Sequence, residues 1–178
     1  MKKSQSSKSE RVTQAVARLS SGTVLVTRVG DTIVEIGLGV KGHGAKADEK
    51  LAKRLEDALR RGPAKAGVKY SFEGLPEFSR KVLSACARIP AGEVRTYAEL
   101  AKAAGRPKAA RAVGQVMAMN PVPLVVPCHR VVGSNYSLTG FGGGLPWKEA
   151  LLAAEGWAFT GKGSSRRLAG RAKAEVRG

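Results

Sequence analysis

The sequence predicts an α/β-plus-α fold, a small α/β part followed by a helical part, and three observations predict it. Two runs rich in β-branched residues, at positions 23–28 and 32–37, flank Gly30-Asp31, which is the signature of a hairpin. Residues 45–61 carry Leu51, Leu55 and Leu59 at four-residue spacing among charges, an amphipathic helix that Gly62-Pro63 ends. After Gly74-Leu75-Pro76 the pattern turns helical: Phe78, Val82, Leu83 and Cys86 share one face, so Cys86 reads as a small buried apolar group. With 178 residues, 43% of them hydrophobic and 25% charged, the chain can bury a core and is not globally disordered.

The chain carries 31 Lys and Arg against 14 Asp and Glu, a formal charge of +17. Such an excess excludes an electrostatically indifferent surface and suits a polyanionic partner, through an attraction that is generic and salt-dependent. Residues 1–11 hold four bases and one acid, and residues 161–178 hold six and one. Both ends are rich in Ser, Gly, Lys and Arg and poor in large apolar groups, so residues 1–15 and 161–178 are expected to be flexible basic tails. They bracket an α/β domain over 16–75 and a second domain over 76–160. A more informative asymmetry is internal: between Glu99 and Glu149 there is no acid, whereas Lys102, Arg106, Lys108, Arg111, Arg130 and Lys148 are present.

No apolar run nears the roughly 18 residues of a membrane helix, and the first residues lack the apolar stretch of a secretory signal, which together predict a cytoplasmic protein. Cys86, Cys128, His43 and His129 are the only cysteines and histidines. They are too few and too scattered for a disulfide framework or a zinc site, so no metal is expected, and His43, between two glycines, reads as a loop residue.

Thr96-Tyr97-Ala98-Glu99 fits a capping box and starts a short helix through about Ala104, which Gly105 ends. Arg106-Pro107 restarts the chain, with Pro107 suited to a first helical turn and Ala109, Val113, Val116 and Met117 forming an apolar stripe to Met119. Two short helices joined by a Gly turn make a helix-turn-helix candidate, and an ordinary αα-hairpin has the same signature. Arg111, two positions from Val113 and so about 200° round the helix, faces solvent beside Ala110 and Gly114, whose small size lets a backbone come close. The acid-free stretch favours DNA, with Lys108, Arg111 and Arg130 as contacting cations.

Asn120-Pro121-Val122-Pro123 must end the second helix, since neither proline can continue it. A short apolar run, Leu124-Val125-Val126, then delivers Pro127-Cys128-His129-Arg130-Val131-Val132. Positive neighbours favour thiolate over thiol, and thiolate is the nucleophile, although a cysteine on a buried run is also ordinary packing. Downstream, Gly140-Phe141-Gly142-Gly143-Gly144 is a loop able to offer backbone N–H groups, and it leads into a helix from Leu145-Pro146. Trp147, Leu151 and Glu155 fall at equal spacing on that helix, so a carboxylate lies on its buried face near its C-terminus, where it needs a partner. That partner is either an Arg, in a structural salt bridge, or the second nitrogen of His129, which would make Glu155, His129 and Cys128 an orienter, a base and a nucleophile.

These residues, with Asn120-Pro121 before them and Lys148-Glu149-Ala150-Leu151-Leu152-Ala153-Ala154-Glu155-Gly156 after, make residues 76–156 resemble the 6-O-alkylguanine-DNA alkyltransferases; residues 1–75 agree only in layout. The resemblance implies a ribonuclease H-like α/β domain ahead of a winged-helix-like domain that carries the helix-turn-helix. It implies a monomer that acts on duplex DNA carrying 6-O-alkylguanine, without a cofactor, and moves the alkyl group irreversibly to Cys128, once per molecule. Cys128 would be activated through a water by His129, which Glu155 orients, and Asn120 would brace the turn between recognition helix and active-site segment. Tyr97 would hydrogen-bond to guanine N3 and assist proton delivery, and Arg111 would fill the stack in place of the flipped nucleotide. Met117 would line the base pocket, and the main chain of Cys128 and Val131 would accept from the guanine amino group. The family often has Tyr-Ser where this chain has Phe141-Gly142: Phe141 keeps an apolar wall without a hydroxyl, and Gly142 keeps only its N–H. Two readings compete, a non-catalytic helix-turn-helix protein, which Cys128 argues against, and a Cys-His hydrolase, which has no use for an acid-free helix-turn-helix.

Overall fold

Three strands, β1 (Val12–Leu19), β2 (Gly22–Val29) and β3 (Thr32–Leu38), pair antiparallel in sequence in the computed structural model, which describes residues 11–40 and 44–171. Ala15, Ala17 and Leu19, then Val24 and Val26, are buried at every second position, as in a sheet with one face packed. Ile33 and Ile36 share that face although three residues apart, because a register shift beside Thr27 and Arg28 absorbs the extra residue. Two short strands, β4 (Lys46–Ala47) beside β1 and β5 (Lys69–Tyr70) beside β3, add parallel edges, for an order β4-β1-β2-β3-β5.

Helix α1 (Glu49–Arg61) starts on Asp48, whose carboxylate accepts from the Leu51 N–H at 2.8 Å, and stops at Gly62, whose φ of 89° glycine adopts without steric cost. Expected from residue 45, it begins at Glu49 because β4 pairs with β1 and Asp48 then caps. Leu51, Ala52, Leu55 and Ala58 enter the same core as the sheet.

The second half places α2 (Glu77–Ala87), β6 (Arg95–Thr96), α3 (Tyr97–Ala103), α4 (Ala110–Ala118), β7 (Val131–Val132) and α5 (Leu145–Ala154) in succession. Val82, Leu83 and Cys86 are buried as their spacing predicts, and the capping box of Thr96 and Glu99 forms with both reciprocal bonds. Pro107 differs from expectation: it lies in a turn closed by the Ala109 N–H on the Arg106 carbonyl at 2.9 Å, a favoured place for proline, and α4 begins three residues later. The apolar stripe of α4 ends at buried Met117, and Met119 is exposed.

The two halves share one hydrophobic cluster across the junction near residue 75. A backbone bond from the Ile36 N–H to the Pro121 carbonyl, 2.8 Å, joins β3 to the segment after α4. Trp147 of α5 lies against β2 so closely that a Cβ at Gly22 would come within 2.6 Å of its ring. Among the described residues no helix is long and apolar enough to cross a membrane.

The ends correct two expectations. Residues 11–15, expected in a tail, include the start of β1, where Val12 pairs with Val29. Residues 161–171 are not a tail either: β8 (Trp157–Thr160) and β9 (Arg167–Arg171) form an antiparallel hairpin, with Phe159 opposite Leu168. Leu168 is buried with Val132, Leu138 and Leu152 in a second cluster, a single apolar anchor that average composition concealed. The remainder of both expected tails, residues 1–10 and 172–178, and the loop residue His43 lie outside the described residues. Removing residues 161–178 therefore removes a core side chain, with an expected loss of about 2–4 kcal/mol. A melting temperature equal to that of the full chain would contradict the packing of β9.

Candidate active site

The segment between α4 and β7 is built on a reversal of the chain. Past the prolines, Leu124 takes a φ of 74°, a left-handed conformation that costs a non-glycine residue about 1–3 kcal/mol, and burial of Leu124, Val125 and Val126 offsets it. The Val126 N–H bonds the Val122 carbonyl at 2.9 Å, and the chain then enters a 3-10 turn, Cys128–Arg130. Asn120 ties the start of the reversal to its end. Its amide donates to the Val126 carbonyl at 3.0 Å and to Cys128 Sγ at 3.2 Å, and its side-chain oxygen accepts from the Val122 N–H at 3.1 Å. Cys128, at 5% exposure, is thus bonded to Asn120, the residue expected to brace the turn.

His129, fully buried, places Nε2 at 2.9 Å from Glu155 Oε1, while Nδ1 has no protein partner among the described residues. Glu155 also accepts from the Gly92 N–H at 3.1 Å and from Arg130, whose Nε lies 2.9 and 3.2 Å from the two oxygens and whose Nη2 lies 2.6 Å from Oε1. Both readings of this acid therefore hold at once, the bond to His129 and the salt bridge to an Arg. Burial alone would raise the Glu155 carboxyl, but bonds from His129 and Arg130 and their charges bring it down to about 2. Burial lowers His129, partly countered by Glu155, so the imidazole is neutral at pH 7. With Glu155 ionised, Nε2 carries the hydrogen and Nδ1 is the free acceptor.

Arg130, expected among the DNA contacts, is 2% exposed, and this expectation is corrected. Besides Glu155 it donates to the Ile89 carbonyl at 2.7 Å and, through Nη2, to the Leu59 carbonyl of α1 at 2.5 Å, so its guanidinium is occupied inside the protein. The 3-10 turn aims it inward, toward the buried carboxylate. Lys148 is likewise fully buried, and its Nζ donates to the carbonyls of Val131 at 2.6 Å and Thr139 at 2.9 Å. Burial lowers its pKa to about 8. Burial pushes the Cys128 thiol up, against the Asn120 hydrogen bond and the Lys148 charge, so Lys148 is the cation that favours the thiolate. In the acid-free stretch the exposed cations are Lys102, Arg106, Lys108 and Arg111.

Arg111 stands exposed on α4, opposite buried Val113 and Met117, beside partly buried Ala110 and Gly114. A Cβ on Gly114 would lie 4.0 Å from the Tyr97 ring, so α4 reaches the residue that opens α3. Burial raises the Tyr97 phenol, and its oxygen accepts from the Thr139 hydroxyl at 3.1 Å. Val131 is buried and Phe141 half-buried, while Gly142 has open space where a side chain would project. The structure thus bonds Cys128 to Asn120 and His129 to Glu155, with Cys128 and His129 adjacent in one 3-10 turn and Tyr97 bonded to Thr139 in the segment that follows.

Two residues escaped sequence reasoning. Lys148 stands among the cations of the acid-free stretch, yet Lys148, Leu151, Leu152 and Glu155 fall at i, i+3, i+4 and i+7, the spacing of one buried helical face. Thr139 had no signal of its own. Above pH 4.5 the paired Glu155 stabilises the fold; as pH falls from its ordinary value of 4.5 toward 2, the unfolded chain binds a proton that the folded one does not, and this stability is lost. Glu155→Gln should therefore melt lower at neutral pH and show a shallower loss of stability through that window. An acid profile of unchanged slope would contradict the pairing.

The chain is similar to known proteins in both sequence and fold. The family model described as 6-O-methylguanine DNA methyltransferase, DNA binding domain, matches residues 77–157, a stretch that contains every site residue named above. The methylated-DNA–protein-cysteine methyltransferase of Methanosarcina acetivorans is 53% identical over 89 residues, 50% of this chain and 56% of that protein, so the match spans little more than half of that relative. Among solved structures, Mycobacterium tuberculosis OGT in complex with DNA superposes with a TM-score of 0.68 at 29% identity over 81% of this chain and 93% of that one. The Mycobacterium tuberculosis O6-methylguanine methyltransferase does so with a TM-score of 0.65 at 30% identity, covering 82% of this chain and 93% of that one. The chain belongs to the 6-O-methylguanine DNA methyltransferase family.

Proposed function

We propose that this protein repairs duplex DNA carrying 6-O-alkylguanine by moving the alkyl group to Cys128, irreversibly and once per molecule, and leaves guanine behind. The observation that carries the reading is a pair of bonds on one 3-10 turn, a cysteine sulfur held by Asn120 and, at the next residue, an imidazole held by Glu155, together with an exposed Arg111 on α4. An alkyl group on a base edge is out of reach in a duplex, so the nucleotide must be turned out, at a cost of a few kcal/mol. Arg111, planar and cationic, fills the vacated stack, while Ala110 and Gly114 let the backbone of DNA approach and Lys108 meets phosphate. Met117, Val131 and Phe141 wall the pocket, the carbonyls of Cys128 and Val131 accept from the guanine amino group, and the Gly142 N–H faces the oxygen at position 6. Lys148 leaves one lone pair of the Val131 carbonyl for that contact.

His129 Nδ1 takes the thiol proton through a water, the thiolate attacks the alkyl carbon, and the carbon–oxygen bond breaks with its electron pair passing to the guanine. Tyr97 gives a proton to N3 as the base leaves. The product is a thioether that no group in the site hydrolyses, and the acceptor is a side chain, so the reaction needs no cofactor and ends after one turn. The same reading takes the five-stranded sheet as ribonuclease H-like, the following half as winged-helix-like, and the protein as a cytoplasmic monomer.

After incubation with a duplex containing 6-O-methylguanine, the peptide bearing Cys128 should gain one methyl in place of hydrogen, and Cys128→Ser should bind the duplex and gain nothing. Repeated turnover, or a methyl on the buried Cys86, would sink the reading. Arg111→Ala should slow transfer from duplex about 10-fold or more, in keeping with the few kcal/mol of base flipping, and leave transfer from the free base unchanged. Equal slowing on both substrates would remove Arg111 from the stack.

A further inference from the structure

The hairpin of β8 and β9 begins on Trp157, the last residue of the matched family domain, and otherwise lies past it, and the segment it packs against leads into the site. The Leu138 N–H bonds the Arg166 carbonyl at 2.9 Å, the Leu168 N–H bonds the Tyr136 carbonyl at 3.0 Å, and Ser137 bridges Arg167. Leu138 and Leu168 are buried together. One residue beyond Leu138 stands Thr139, whose own side chain is exposed and so is not held by the core. Its carbonyl accepts from Lys148 at 2.9 Å and its hydroxyl donates to the Tyr97 oxygen at 3.1 Å.

We propose that Thr139 is a positioning residue for proton delivery by Tyr97, and that the C-terminal hairpin serves the acceptor site by holding the segment that carries Thr139. The proposal rests on the repair reading above. A phenol oxygen that already accepts from Thr139 keeps its own hydrogen for a substrate, and the direction of that hydrogen is set by where the donor stands. When the thiolate attacks, the carbon–oxygen bond breaks, its electron pair goes to the guanine, and the Tyr97 hydrogen passes to N3. The phenolate left behind accepts a charge-assisted hydrogen bond from Thr139, until the proton that His129 took from the thiol returns through solvent. The Thr139 bond already lowers the phenol against the upward push of burial. The hairpin matters because the Leu138 N–H bond to the Arg166 carbonyl and the shared burial of Leu138 and Leu168 fix the residue next to Thr139, while the Leu168 N–H ties Tyr136, and an exposed threonine on a free loop would not hold one direction.

The test is the single-turnover rate of methyl transfer from a saturating 6-O-methylguanine duplex. Thr139→Val should be slowed about 10-fold, the scale of one lost hydrogen bond, with unchanged melting temperature and duplex affinity. Thr139→Ser should restore the rate. Leu168→Ala, measured below its own melting temperature, should slow the wild-type protein but cause no further slowing in the Thr139→Val background. A Thr139→Val rate equal to wild type overturns the proposal, whatever Leu168→Ala does. Equal slowing by Leu168→Ala in both backgrounds overturns the role of the hairpin. If the unsubstituted protein takes up no methyl group, the repair reading fails and the proposal with it.

Discussion

A buried carboxylate must be paired or it destabilises the fold by several kcal/mol, and Glu155 meets that demand with His129, Arg130 and the Gly92 N–H together. The partners come from two places: His129 and Arg130 from the turn that holds Cys128, and Gly92 from the loop after α2. Arg130 extends the set further, to the Leu59 carbonyl near the end of α1 and the Ile89 carbonyl beyond α2. Arg130 therefore joins the α/β half to the carboxylate that orients the imidazole.

The thiol itself is kept quiet. Burial raises Cys128, and the Asn120 bond and the Lys148 charge only partly offset that, so the resting form at neutral pH is the thiol. A sulfur in this state resists stray oxidation and alkylation, and becomes a nucleophile when a base takes its proton. The +17 of the chain accordingly does two separate jobs. Lys102, Arg106, Lys108 and Arg111 face outward, where they can meet phosphate, whereas Arg130 and Lys148 act inward on Glu155 and Cys128.

Local chemistry was legible wherever the signal was itself local. The capping box at Thr96, the helix faces around Leu55 and Cys86, the hairpin at Gly30-Asp31 and the burial of Glu155 all follow from spacing alone. Arg130 was misjudged because residue type favours the surface, and only the 3-10 turn at Cys128 reveals which way it points. The hairpin at 157–171 was hidden for a related reason: composition averages over a segment, but one leucine facing Val132, Leu138 and Leu152 is enough to anchor it. Thr139 was invisible because its partner, Tyr97, is remote in sequence and reached only through β7 and the loop that follows.

The central claim is that His129 serves as the base through Nδ1, with Nε2 committed to Glu155. The most direct measurement is the nitrogen NMR spectrum of His129 in the folded protein at pH 7, which distinguishes the two neutral tautomers from the cation. The account predicts a neutral ring with hydrogen on Nε2 and none on Nδ1. A doubly protonated ring, or hydrogen on Nδ1 alone, would leave Cys128 without an acceptor for its proton and would contradict the account.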